Sequence, residues 1–245
     1  PAERVNGPNH RGQRARNNSP PLSPSLQLRS QAMKTILAFG DSLTFGFDRA
    51  TGGRHGRSDR WPLVLQEALV GQVQVIEEGL GGRNTAVDDP TSNIDRNGAH
   101  ILPVLLDTHK PLDLVIIMLG TNDLRVALSG TAHRAAQGMK RLAEIARDHP
   151  YGPGFPVPQV LLVSPPLFAK PTWSVPDPSV SPRNQESHLL AGLYRSVAQE
   201  LGCGFFDAAT VAKSTAEDGV HLDAANTRAI GTGLVPLVKE LLGLG

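Results

Sequence analysis

The stretch Leu112–Leu119, LDLVIIML, constrains the fold of this chain more than any other. A strand with one wet face alternates apolar and polar residues, whereas this one is apolar on both faces. It has to be covered on both sides, which makes it a central strand of a parallel sheet. Shorter runs of the same kind occur at Thr35–Phe39, Val73–Glu77, Val160–Val163 and Gly204–Phe206. Between them the spacing turns helical. Helices are expected over Asp59–Val70, with Ser58 or Asp59 as cap and Pro62 in the first turn, and over Asn97–Asp107 in spite of Pro103. Three more are expected over Thr131–Arg147 with Thr131 as cap, Arg183–Leu201 and Asp223–Leu242. Strands alternating with helices predict an α/β fold, doubly wound around a parallel sheet of about five strands. Ligands of such sheets bind beyond the carboxyl ends of the strands.

A chain of 245 residues, 40% hydrophobic, is long enough for one such domain with a sizeable core. The domain is expected over 33–245. Residues 1–32 are different in kind: rich in Pro, Asn, Arg and Ser, with five arginines against the single Glu3. They read as an extension that is vector-derived or translated from an upstream start and disordered in isolation, or, as the alternative, as an arm packed on another subunit. The net charge of +1 owes its sign to this segment and gives no reason to expect nucleic acid or an anionic membrane as a partner. No apolar stretch reaches the roughly 18 residues of a membrane span, and the first residues lack the apolar centre of a secretion signal. Cys203 is the one cysteine, so no disulfide forms within the chain. Together these features lead us to expect a cytoplasmic protein.

Two stretches escape the alternating pattern. Asp48–Arg60 is a long loop rich in Gly and Arg. Pro165–Pro182 is rich in proline and carries Phe168 and Trp173. Long loops in compact domains often serve function, though apolar residues in them can equally be core.

The residues that follow each strand carry the chemistry. Gly40-Asp41-Ser42 follows the first strand, Gly79-Leu80-Gly81-Gly82 the second, Gly120-Thr121-Asn122-Asp123 the third, and Asp218-Gly219-Val220-His221 precedes the last helix. Ser42 can be a helix cap or a nucleophile. As a nucleophile it needs a base, and His221 can serve, with Asp218 three residues earlier fixing the imidazole tautomer. Asp218 and His221 can also be no more than a turn before the helix capped by Asp223. Acyl transfer needs donors where negative charge develops, and the Ser42 N–H, the Gly82 N–H and the Asn122 side chain could supply them. Singly, Gly81-Gly82 is a turn and Asn122 closes a loop; together, in this order, they point to a site.

In these four blocks, FGDSLT at Phe39–Thr44, EGLGGRNT at Glu78–Thr85, LGTND at Leu119–Asp123 and DGVHLD at Asp218–Asp223, the chain resembles the SGNH, or GDSL-type, hydrolases. The resemblance runs through nearly all of 33–245. It implies a flavodoxin-like three-layer α/β/α sandwich, with Ser42 as nucleophile, His221 as base and Asp218 as its orienter. It implies an oxyanion hole of Ser42, Gly82 and Asn122, and no cofactor or metal. The stretches VIEEGLGGRNTAVDDP, LDLVIIMLGTND and LLVSPP are similar to the arylesterase/acyltransferase branch. That branch includes an octameric mycobacterial enzyme that hydrolyses small esters and passes acyl groups to alcohols or peroxide, which implies a homo-oligomer here. The chain departs from that member at Phe45 and Phe47, where the member has tryptophans, and at Gly82, where the member has alanine.

A small-molecule ester is therefore the expected substrate, in a pocket lined by Phe45, Phe47 and Trp173. A carbohydrate acetyl ester is an alternative. Two other readings compete: a metallohydrolase using Asp41, Asp123, Asp218 and His221, and a non-catalytic flavodoxin-like binding domain. The second has neither a phosphate-cradling glycine loop nor a placed dinucleotide motif to support it.

Overall fold

In the computed structural model, which describes residue 1 and residues 33–128, 130–172 and 180–245, Leu114–Met118 is the middle strand of a five-stranded parallel sheet. The elements in chain order are β1 (Lys34–Gly40), α1 (Ser42–Phe45), β2 (Phe47–Asp48), β3 (Gly53–Arg54), α2 (Trp61–Ala68) and β4 (Val73–Gly79). They continue as α3 (Gly98–His109), β5 (Leu114–Met118), α4 (Ala132–Asp148), β6 (Gln159–Ser164), α5 (Val180–Leu201), β7 (Gly204–Asp207) and α6 (Ala224–Leu242). The sheet runs β4-β1-β5-β6-β7. The chain thus leaves β1 toward one edge and returns to β5 on its other side, so the crevice expected at a switch point opens after β1 and β5.

Alternation along the strands divides the core in two. Leu37, Phe39, Val115, Ile117 and Leu162 pack with Leu102 and Leu106 of α3, Met139 and Leu142 of α4, and Leu190 and Tyr194 of α5. Ile36, Ala38, Leu114, Ile116 and Val163 face the other way, onto Trp61 and Leu65 of α2 and Ile230, Leu234 and Val238 of α6. Each such side chain removed from water contributes about 1.5–3 kcal/mol. The strands hydrophobic on both faces are therefore the ones with helices on both faces, which makes the molecule a three-layer α/β/α sandwich.

The caps follow the side chains available. Asn97 accepts from the Ala99 N–H at the start of α3, Thr131 from Arg134 N–H at α4, and Asp223 from Asn226 N–H at α6. α2 differs from expectation. It begins at Trp61 after Arg60, which makes no side-chain cap, and it ends at Ala68. Asp59 is drawn instead into an ion pair with Arg228. The loop expected over Asp48–Arg60 holds a small antiparallel ribbon, with Phe47 opposite Arg54 and Asp48 opposite Gly53. Among the described residues no helix is long and apolar enough to cross a membrane.

Candidate active site

Ser42 is the first residue of α1, a single turn that opens where β1 ends. Asp41 caps that turn: its Oδ1 accepts the Leu43 N–H at 2.9 Å. The turn lies against the end of β4 because residue 79 is glycine. A Cβ there would stand 2.1 Å from the Phe45 nitrogen and 2.7 Å from the Thr44 carbonyl carbon. Ser42 is 8% exposed.

Ser42 Oγ lies 3.0 Å from His221 Nε2, and His221 Nδ1 lies 2.6 Å from Asp218 Oδ2. An ionised carboxylate can only accept, so Nδ1 donates to Asp218 and Nε2 is left to accept the serine proton. The other Asp218 oxygen accepts the N–H of both Val220 and His221 at 2.9 Å. Burial works to raise the Asp218 pKa. The hydrogen bonds from the His221 ring and these two amides outweigh it and hold the carboxyl below its ordinary value. The Arg49 guanidinium stands 3.6 Å away. The loop that carries His221 is tied down by Thr215 N–H donating to the His221 carbonyl and Ala169 N–H to that of Gly219.

Phe47 packs its ring on the His221 imidazole, with centroids 4.7 Å apart, so one of the aromatics expected near the site is beside His221. Phe45 lies under the Arg54 guanidinium, at 4.3 Å, and Arg54 Nε donates to its carbonyl at 2.6 Å. Phe168 is part of the core formed with α4 and α5. Trp173 lies outside the described residues.

Of the three expected donors to an acyl oxygen, the Ser42 and Gly82 amides donate to no other group among the described residues. The Asn122 amide differs. Its Nδ2 is 3.2 Å from Asp41 Oδ2 and 3.1 Å from the Arg83 carbonyl, so an acyl oxygen has to compete for its protons. Asp41 is buried, and burial pushes its carboxyl up to about 7; Asp123 is raised by the same cause to about 6, with the Thr85 hydroxyl and N–H opposing. Arg83, also buried, donates to the carbonyls of Gly40 and Glu78 and so ties the ends of β1 and β4 together. Asp41 and Arg83 were not anticipated as partners of Asn122. The sequence places them beside Ser42 and Gly82 but does not show which way they turn.

For the metal alternative the carboxylates have other partners. Asp41 accepts from Leu43 and Asn122, Asp123 from Thr85, and Asp218 from His221 and Val220. Among the described residues no group of three or more His, Cys, Asp or Glu is placed to hold a metal ion.

Residues 38–229 match the GDSL-like lipase/acylhydrolase family. Solved structures resemble the whole domain. A carbohydrate acetylesterase family member from Sinorhizobium meliloti is 49% identical, with a TM-score of 0.83, covering 86% of this chain and 100% of its own. The aryl esterase of M. smegmatis is 40% identical, with a TM-score of 0.79, covering 85% of this chain and 100% of its own. A second carbohydrate acetylesterase from Sinorhizobium meliloti is 34% identical, with a TM-score of 0.76, covering 85% of this chain and 99% of its own. Comparison with curated proteins gives no match.

Proposed function

The chain belongs to the GDSL-like lipase/acylhydrolase family, and on that premise we propose that it is a serine esterase that hydrolyses small aryl or short-acyl carboxylic esters. The observation that carries this is the unbroken series Ser42 Oγ, His221, Asp218, at 3.0 and 2.6 Å. His221 Nε2 takes the hydroxyl proton as Oγ attacks the ester carbonyl carbon. The oxygen that becomes negative is received by the Ser42 and Gly82 amides, with the Asn122 amide as third donor. Collapse breaks the bond to the alkoxy oxygen, which leaves with the proton from His221. Water, deprotonated by His221 in turn, then attacks the acyl-enzyme and frees the acid and Ser42. An alcohol or peroxide in place of water would give acyl transfer, the activity implied by the sequence resemblance to the arylesterase/acyltransferase branch.

Ser42→Ala is expected to abolish turnover of p-nitrophenyl acetate while the circular dichroism spectrum is kept. A serine-directed phosphonate should add its mass to the Ser42 peptide, and activity should survive EDTA. Retained turnover in the Ser42→Ala protein would sink the assignment. A second reading, removal of acetyl groups from carbohydrates, is supported by the likeness to the Sinorhizobium meliloti carbohydrate acetylesterase. Acetate release from acetylated sugars at a kcat/KM above that for aryl acetates would favour it.

A further inference from the structure

We propose that Arg96 selects esters carrying a carboxylate a few bonds from the scissile carbonyl; this rests on the serine-esterase reading of the same site. Arg96 immediately precedes Asn97, the cap of α3. Its carbonyl accepts the Asn84 N–H at 2.9 Å, and Asn84 and Asn97 form an isolated parallel bridge, so its backbone is clamped beside the loop that holds Gly82. Its guanidinium lies over Gly82, in the space a side chain would fill. A Cβ at 82 would stand 2.4 Å from Nη1 and 2.9 Å from Cζ. Backbone geometry therefore puts Nη1 within about 5 Å of the Gly82 nitrogen, the amide that receives the acyl oxygen.

This cation has no protein partner among the described residues, and its Nε is buried without an acceptor. The neighbouring arginines are matched: Arg54 and Arg60 with Glu77, Arg125 with Asp89, and Arg83 with backbone carbonyls. The acidic side chains nearby in sequence line one pocket with Arg96 but have other partners. Asp88 accepts from the Asn97 side chain, Asp95 from the Asn97 N–H and His100, and Asp89 from Thr91 and Arg125. A guanidinium presents paired donors in a fixed plane, a geometry that a carboxylate completes with two hydrogen bonds. A substrate carboxylate would supply the acceptor that the fold does not. The chemistry fits half-esters of short dicarboxylic acids, or esters of an alcohol or phenol bearing a carboxylate.

The test compares charged and neutral esters of matched size in two arms. For the acyl side the pair is p-nitrophenyl hemiglutarate and its methyl ester. For the alcohol side it is 4-carboxyphenyl acetate and its methyl ester. In one arm the wild-type protein should favour the charged ester in kcat/KM by about tenfold or more, a preference that shrinks with added salt. Arg96→Gln should remove that preference through KM, and Arg96→Lys should restore part of it. Wild-type protein that turns over the neutral esters but does not prefer the charged ester in either arm overturns the proposal, whether or not the variants fold. So does an equal charged-to-neutral ratio in wild type and Arg96→Gln. Ser42→Ala distinguishes the two levels: if it still turns over the neutral esters, the serine-esterase reading itself has failed.

Discussion

Asp41 holds two roles in one carboxyl. One oxygen caps the turn that begins with Ser42, and the other accepts from Asn122. Because it is buried, its folded-state pKa rises to about 7 from an ordinary 3.8. The folded protein then keeps a proton that the unfolded chain has lost, so this group makes stability fall as pH rises from about 4 to about 7. Asp123 acts the same way in the narrower window up to about 6. Asp218, whose pKa is lowered, works oppositely: its contribution is present above the ordinary carboxylate pKa and is lost as pH falls through its lower folded value. Asp41→Asn should therefore flatten the decline of the melting temperature between pH 4 and 7. An unchanged slope would remove Asp41 as the titrating group. At the catalytic end, Asp218→Asn should lower kcat by about 10²–10⁴-fold with the fold intact, since the imidazole loses the partner that fixes its tautomer. Both carboxyls stood out in the sequence. That Asp41 faces Asn122 did not, because a side chain's direction depends on neighbours from another strand.

The elements that carry the site differ in how much change they tolerate. Gly79→Ala would press a methyl group into the backbone of α1, which cannot yield as a side chain could. A loss of about 1–3 kcal/mol in urea unfolding is expected, with a fall in activity as Ser42 is displaced. Gly81→Ala has open space around its Cβ and should cost less than about 0.5 kcal/mol. Equal effects from the two would refute a steric cause. Asp223→Ala should cost about 1 kcal/mol through loss of the α6 cap, two residues after His221. The five main strands and five longer helices were legible because their periodicity repeats over many residues. The β2–β3 ribbon was not, since two-residue strands carry no period. The start of α2 was misplaced because Asp59, a good cap by type, pairs with Arg228 across the fold.

At the scale of the whole molecule, the cores on the two faces of the sheet are expected to act on stability more than on the chemistry at its edge. Leu142→Ala, in the core between the sheet and α4, should cost about 2–5 kcal/mol in stability. Below the unfolding midpoint it should leave kcat/KM for p-nitrophenyl acetate within about twofold. A large loss of activity in the folded variant would mean that the core and the site are coupled. The resemblance to an octameric member of the branch leads us to expect a homo-oligomer, and a monomer mass by light scattering would discard it. The sequence by itself determined which segments are the main strands and longer helices and which polar blocks follow them, because period and turn chemistry act over a few residues. Only the tertiary structure decided that Ser42 and His221, 179 residues apart, meet at 3.0 Å. It also decided that Asn122 turns its amide to Asp41, and that Arg96 occupies the space left by the missing side chain of Gly82. Those contacts exist only once packing has fixed the order β4-β1-β5-β6-β7, and no local pattern encodes that order.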